Sequence, residues 1–503
     1  MKSEYKYLTE EDFPILSDES RMPGRADRMF RPENESVLAA ALSDLNGRGE
    51  PVTIQGGKTG ITGGAVPADG TVIDTSGMNR ITGDRSGESS EVFITAEPGV
   101  TLLELREYCG RKYPGFFFPP DPTEPSATLG GMASTNASGA RSFRYGSVRN
   151  FINSAAVVLA DGTVTDLARK KGHPDPGFEI NSRQGRKMRL ELPDVRSPGI
   201  KNAAGYYVRP GMDILDLFIG SEGTLGIFTS LTVRVVQEPR NILALFSFFP
   251  GEKEALDFSD LIRDFRMDKS GFIMAAEYFD RASLELIGRE REERGILKDL
   301  PPFPADSGTG IYTELAAHSE RDLERLLEKT ARVLSSAGGD IEKTWTGEGW
   351  SGIGQFKEMR HAVPEEINRR IDGVRRKEPG ITKLSTDLAV PKEKFRELMK
   401  LYRADLDRTG LEGIIFGHIG DCHVHVNIIP ETLKEFASGK ELCLKWASAA
   451  ADMGGTVSAE HGIGKLKREF LRIMYPQEVL DKFRKIKETL DPGMILNRGN
   501  IFE

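Results

Sequence analysis

Three loops dense in glycine and other small residues constrain this chain more than any other feature. The first, "IQGGKTGITGGAV", sets Gly56, Gly57, Gly60, Gly63 and Gly64, with Gly70 just beyond, against the end of a strand-like run. The second, "PPDPTEPSATLGGMASTNASGARSFRYGSVRN", is almost wholly small from Ser126 to Ala140; the third is "GSEGTLGIF", around Gly220, Gly223 and Gly226. Glycine reaches positive φ without strain and lets backbone N–H groups close on an anion, so a phosphate or pyrophosphate is the natural guest of the first loop. Small residues in series suit the close approach of a large planar ligand. Each loop alone is equally readable as a set of tight turns. Neither common nucleotide motif fits. A P-loop ending at "GK" needs glycine five positions before Gly57, where Val52 stands, and neither the first nor the third loop has GxGxxG spacing.

The loops sit in a chain of 503 residues, too long for one core. Around them, to about residue 237, short strands and helices alternate without a regular βα repeat, which predicts an α+β domain. "ESVLAAALSDLNGRG" has helical apolar spacing ending in glycine, "PVTIQ" reads as a strand, and Thr101 is a plausible cap for "TLLELREYCGRKY". Residues 1–35 read as a polar lead-in. Residues 170–200 are charged and turn-rich and predict a surface excursion. From about 238, strand-like "ALFSFF", "GFIMAAEYFD" and "GIYTEL" are separated by charged helices. That grammar predicts a second α+β domain to about 460, an antiparallel sheet with helices on one face. The tail, 461–503, reads as a basic amphipathic helical segment ending in a turn.

A formal net charge of -8 argues against a general nucleic-acid binder. Three widely spaced cysteines, Cys109, Cys422 and Cys443, make no CxxC pair. They predict no disulfide framework, a reducing compartment, and no iron–sulfur cluster held by this chain alone. The acidic N-terminus is neither a secretory signal nor a transit peptide, and no apolar run approaches the ~20 residues of a membrane helix. The expected location is cytoplasmic, with peripheral membrane association left open.

Histidine is the second constraint. The chain has seven, and His418, His423 and His425 fall within "FGHIGDCHVHVNIIP", with His461 following in "SAEHGIGK". On an extended strand His423, His425 and Asn427 share a face. Two imidazoles and a carboxylate around a divalent ion with open positions form a catalytic arrangement. Core or surface histidines are the plain alternative.

Taken together, in order and spacing, the three loops and the "GHIGDCHVHVN … AEH" segments resemble the FAD-linked D-2-hydroxyacid dehydrogenases of the vanillyl-alcohol-oxidase superfamily. These include D-lactate and D-2-hydroxyglutarate dehydrogenases and the flavin subunit of glycolate oxidase. The resemblance runs from about residue 36 to the C-terminus, with 170–196 unmatched. It implies a two-part FAD-binding domain of the PCMH type, about 36–237 plus the tail, and a substrate or cap domain of about 238–460. It implies that Gly56, Gly57, Lys58, Thr59, Gly60, Ile61, Thr62, Gly63 and Gly64 wrap the pyrophosphate. Pro120, Asp121, Gly130, Gly131, Ser134, Asn136, Ala137 and Gly139 would lie along the flavin, and Glu222, Gly223 and Ile227 at its far side. Neither flavin loop carries histidine or cysteine, so non-covalent FAD is expected.

The same resemblance matches His418, His425 and Glu460 to metal ligands, and Asn427 and His461 to residues contacting substrate. His461 would take the hydroxyl proton as hydride leaves the α-carbon, and Arg360 would grip the substrate carboxylate. The ion is expected to be zinc, with manganese or iron as alternatives. Cys422–His423 stands where the family usually has Gly–Asn, so His423 could add a ligand, replace one or line the pocket. Pro364 and Ser385 replace the threonine and lysine of D-2-hydroxyglutarate dehydrogenases, and Lys383 is out of register. The implied reaction is oxidation of a lactate- or glycolate-like D-2-hydroxyacid, with electrons passed to a quinone, flavoprotein or iron–sulfur partner. A homodimer is expected. Two rivals are an alkyl-glycerone-phosphate-synthase-like transferase, whose tandem histidine motif is absent here, and a flavin subunit active only in a complex docked through 170–200.

Overall fold

The run of apolar residues at helical spacing forms the helix Glu35–Gly47, capped by the Asn34 side chain, and it buries Leu38, Ala41, Leu42 and Leu45. It is the crossover between strands Arg28–Phe30 and Val52–Gln55, each of which lies parallel to Thr71–Asp74. Parallel strands need such a connection, because a hairpin cannot join them. The computed structural model describes residues 5–86, 91–169, 178–295 and 300–502. Within these, the chain divides into two units: Met1–Ser138, Ser147–Glu238 and Ser458–Glu503 form the first, and Gly139–Gly146 and Pro239–Val457 the second. No helix of the described residues is long and apolar enough to cross a membrane.

The first unit has a small sheet built on those parallel pairs and a larger antiparallel sheet. The larger one runs Ile81–Ser86, Val92–Ala96, Ile227–Gln237, Ile152–Val158, Val164–Ala168. Thr101 does cap the helix Leu102–Lys112, in a reciprocal capping box with Glu104. The C-terminal segment lies along the strand that feeds the first glycine loop. Val52 N–H donates to the Ile495 carbonyl at 2.8 Å, and Asn497 N–H to the Val52 carbonyl at 2.7 Å. Ile495 and Leu496 join Leu38, Leu42, Val158 and Ile227 in one core cluster.

The expected surface excursion needs correction where it is described. Residues 170–177 lie outside the described residues. Beyond them, Phe178–Asn181 pairs antiparallel with Lys187–Leu190, and Ile180, Met188 and Leu190 are buried. Charge on alternate positions hid a period-two apolar pattern in "FEINSRQGRKMRL".

The second unit is built on an eight-stranded antiparallel sheet. Its order is Trp345–Glu348, Asn241–Phe249, Thr309–Ala317, Gly271–Phe279, Gly413–Gly417, His423–Ile428, Leu384–Ser385, with Leu388–Ala389 also pairing His423–Ile428. Helices cover both faces, not one as expected. Phe246 stacks on Phe356 of the helix Gly349–Arg375, with ring centroids 6.4 Å apart. Phe249, an odd number of residues along and so on the opposite face, meets Phe258 of the helix Glu252–Ile262 at 5.3 Å. The reason was present in the strands: Gly271–Phe279 and Thr309–Ala317 are buried at every position, whereas a one-sided sheet alternates.

Candidate functional site

The histidines of the second unit are positioned by a sharp turn into a central strand. After Gly417, a single turn over Ile419–Asp421 ends at Cys422, which has φ of 54°. The strand His423–Ile428 then pairs with Gly413–Gly417 on one side, through Phe416↔His425 and Ile414↔Asn427. On its other side Ala389 faces His423 and Ser385 faces Asn427. Alternation puts His423, His425 and Asn427 on one face, and all three are buried.

Ring centroids are 4.6 Å apart for His423–His425, 5.2 Å for His418–His423 and 5.7 Å for His418–His425. One ring nitrogen of each lies within 4.8 Å of one from each of the others. Each ring has a buried oxygen behind it. Nδ1 of His418 is 2.7 Å from Glu277 Oε1, Nδ1 of His425 is 2.9 Å from the Thr386 carbonyl, and Nε2 of His423 is 3.1 Å from Asp387 Oδ1. An imidazole that donates through one nitrogen offers a lone pair on the other, the usual arrangement behind a metal-binding histidine. The donor set therefore fits a divalent ion. Burial pushes the thiol of the neighbouring Cys422 up to about 11.

Two further groups converge on the same strands. Arg360, on the helix Gly349–Arg375, brings Nε to 3.9 Å from Glu277 Oε2 and its guanidinium carbon to 5.7 Å from the Tyr312 ring centroid. Glu277 thus stands between His418 and Arg360. Neither side-chain polar atom of Asn427 has a hydrogen-bond partner among the described residues, although the residue is 1% exposed. A buried amide left this way costs about 1–3 kcal/mol, which a bound ligand would relieve. Lys383 is exposed and donates to Asn368 at 3.0 Å.

The glycine loops belong to the first unit and interlock. Thr128 Oγ1 accepts from Gly57 N–H and Gly131 N–H, each at 3.3 Å. A Cβ on Gly56 would fall 2.3 Å from that hydroxyl, and one on Gly57 would fall 2.6 Å from the Ser126 carbonyl. The first loop can therefore seat against the second only as glycine. Gly60 has open space where a side chain would stand, and the Ser138 hydroxyl is buried without a partner among the described residues. A backbone cradle of this kind fits a dinucleotide.

The C-terminal segment fastens these loops. Lys465 N–H donates to the Thr62 carbonyl at 3.0 Å, and Lys465 Nζ donates to Asn500 Oδ1 at 2.7 Å and the Gly63 carbonyl at 3.3 Å. Asn497 accepts from Ile54 N–H at 2.7 Å and donates to the Glu222 carbonyl at 2.6 Å. The Glu222 carboxylate accepts from Ile463 and Gly464 N–H, each at 2.6 Å. Burial nevertheless pushes Glu222 up to about 7 and Lys465 down to about 8.

Several residues read from sequence as cofactor contacts have their side chains engaged within the unit. Asn136, left-handed at the end of its helix, accepts from Ser147 Oγ and Arg149 N–H and donates to the Asn202 carbonyl. Ile227 packs in the core. Asp121 pairs with Arg106, which also donates to the Pro120 carbonyl. Backbone carbonyls of Ser134 and Ala137 hold Glu222 and Val148 N–H. Gly139 belongs to the second unit. In the first unit, Glu460 lies 3.3 Å from Lys201 Nζ, and the His461 carbonyl accepts from Thr62 Oγ1 at 3.3 Å. Sequence reasoning missed Glu277, Thr386, Lys465, Asn497 and Ser138. Only Glu277 had a local signal, as the one acid inside the apolar strand "GFIMAAEYF".

Comparison with known proteins adds independent findings. The family described as FAD linked oxidases, C-terminal domain, matches residues 239–501, and the FAD binding domain matches residues 26–168. The chain is 28% identical over 478 residues to a D-lactate dehydrogenase of Archaeoglobus fulgidus, covering 94% of this chain and 90% of that one. It is 29% identical over 509 residues to a D-lactate dehydrogenase of Anaerostipes hadrus, covering 98% and 92%. It is 28% identical over 484 residues to the mitochondrial D-2-hydroxyglutarate dehydrogenase of Danio rerio, covering 94% and 78%. A solved alkyldihydroxyacetonephosphate synthase shares the fold at a TM-score of 0.62 and 14% identity, over 94% of this chain and 77% of that one.

Proposed function

We propose that this chain, which belongs to the FAD-linked oxidases, is an FAD-dependent dehydrogenase that oxidises a D-2-hydroxyacid to the 2-oxoacid. The observation that carries the reading is the strand face of the second unit, where three clustered imidazoles, Arg360 and an unsatisfied buried Asn427 amide occur together. When bound, the flavin supplies a hydride acceptor, and a divalent ion at His418 and His425 supplies a Lewis acid.

The chain's own residues hold and orient the substrate. Arg360 offers a planar two-point fork to the carboxylate, which fixes the α-carbon. The Asn427 amide can both donate to and accept from a hydroxyacid, unlike a cation, and so discriminates for a neighbouring hydroxyl. The resemblance assigns two further roles to residues of the first unit: Glu460 as a carboxylate ligand and His461 as the base for the hydroxyl proton. A small side chain on the substrate, as in lactate or glycolate, is favoured by Pro364 and Ser385 and by the engagement of Lys383 with Asn368. Zinc suits the nitrogen-rich set best, with manganese or iron as alternatives. Electrons pass to an external acceptor. A homodimer in the cytoplasm, peripheral to a membrane at most, completes the reading.

Anaerobic mixing with D- and L-2-hydroxyacids tests it. Bleaching of the flavin by a D-2-hydroxyacid alone is expected, and no bleaching by any member of the panel would overturn it. Acid precipitation should release all the flavin, since both flavin loops lack histidine and cysteine. Flavin retained on the denatured chain would refute non-covalent binding.

A further inference from the structure

We propose that His423 is a third metal ligand, so that His418, His423 and His425 hold a divalent ion on the second unit through three nitrogens. The inference rests on the metal reading above and goes beyond it. To the two imidazoles and Glu460 that the resemblance supplies, this chain adds an imidazole of its own.

Two observations carry it. First, the ring nitrogens: one from each of the three histidines lies within 4.8 Å of the others, and the His423 and His425 rings are the nearest pair at 4.6 Å. A small closure of that triangle brings all three to the ~2.0–2.1 Å bonds that zinc makes with histidine nitrogen. Second, His418 is backed by Glu277 and His425 by the Thr386 carbonyl, while the Asp387 carboxylate stands in ion-pair range of His423 Nε2, at 3.1 Å. Asp387 is 2% exposed and His423 fully buried, so the pair is held by the fold and is not a surface encounter.

A set with three nitrogens selects zinc, cobalt or ferrous ions over magnesium and manganese, which prefer oxygen donors.

The test is Co²⁺ binding to metal-stripped, flavin-loaded protein, read by bound metal per chain and by the visible absorption of the ion after subtraction of the flavin spectrum. Wild type should bind one Co²⁺. His423→Asn, which restores the family residue, should lose at least about 100-fold in affinity and change the cobalt spectrum, while Asp387→Asn loses about 10–100-fold. Should His423→Asn fail to retain flavin, His423→Gln carries the test. Wild-type affinity and spectrum in the His423 variant, with loss only in His418→Ala and His425→Ala, would overturn the proposal and leave the two-imidazole reading standing. Failure of wild type to bind Co²⁺ or Zn²⁺ would overturn both.

Discussion

The first unit makes its candidate site from backbone; the second makes its own from side chains. The glycine loops expose peptide groups, and their shape is held from behind by a distant segment, through Lys465, Asn497 and Asn500. The histidine strand and the turn before it present imidazoles directly, with Glu277 Oε1 behind His418, the Thr386 carbonyl behind His425 and Asp387 in ion-pair range of His423. The difference teaches where each site is fragile. A backbone site fails when its fasteners are removed, at the expense of stability and cofactor retention. A side-chain site fails when a single functional group is removed, with the fold left intact.

The largest effect expected on that contrast is at Arg360. Arg360→Ala should cut kcat/KM by about 10³-fold, as loss of a charged two-point contact costs roughly 3–5 kcal/mol, while melting temperature and flavin content stay near wild type. Arg360→Lys should recover only part of the loss. Steady-state kinetics with an artificial dye check this, and wild-type turnover in Arg360→Ala would remove Arg360 from the site.

Asn497→Ala should give the converse. It leaves Ile54 N–H without its side-chain partner and the Glu222 carbonyl with only Asn500 Nδ2, at 3.4 Å, a cost of about 2–3 kcal/mol. Flavin should dissociate more readily and the melting temperature should fall, with metal content unchanged. Loss of metal with flavin retained would reverse the contrast drawn here.

The third prediction concerns pH. Burial raises the Glu222 carboxyl from 4.5 to about 7. The folded chain thus keeps a proton that the unfolded chain has lost, so its contribution to stability is full below about pH 4.5 and disappears as pH rises through about 7. Relative to Glu222→Gln, wild type should lose on the order of 2–3 kcal/mol across that window. Parallel melting curves for the two proteins between pH 5 and 8 would show that Glu222 is ionised throughout.

The smallest effect lies outside both sites. Met188→Ala, in the hairpin that follows the masking charges, should cost about 2 kcal/mol and leave kinetics unchanged. It should also speed tryptic cleavage at Arg183 and Arg186. Rapid cleavage there in wild type would mean that the hairpin is not packed in solution.

Much of this was legible in the chain alone. Glycine and small-residue spacing are local properties, and so is a histidine crowding of three in fifteen residues, so the cofactor loops and the imidazole strand could be read before any fold was known. Thr101 and the helix at Glu35 were legible for the same reason, because caps and apolar stripes act within a few residues. Partners far apart in the chain were not. Glu277 reaches His418 across 141 positions, Asn497 reaches Ile54 across 443, and Glu222 reaches Ile463 across 241. Such pairs arise only when strands find their neighbours and tails find their sheets, and nothing in the local composition of either member records the other. The two-sided burial of the large sheet is intermediate. Its apolar strands were plainly written, but whether helices covered one face or both depended on how those helices packed once the chain had closed. Sequence therefore determined which chemical groups this protein has available, and tertiary structure decided which of them are held, and by what.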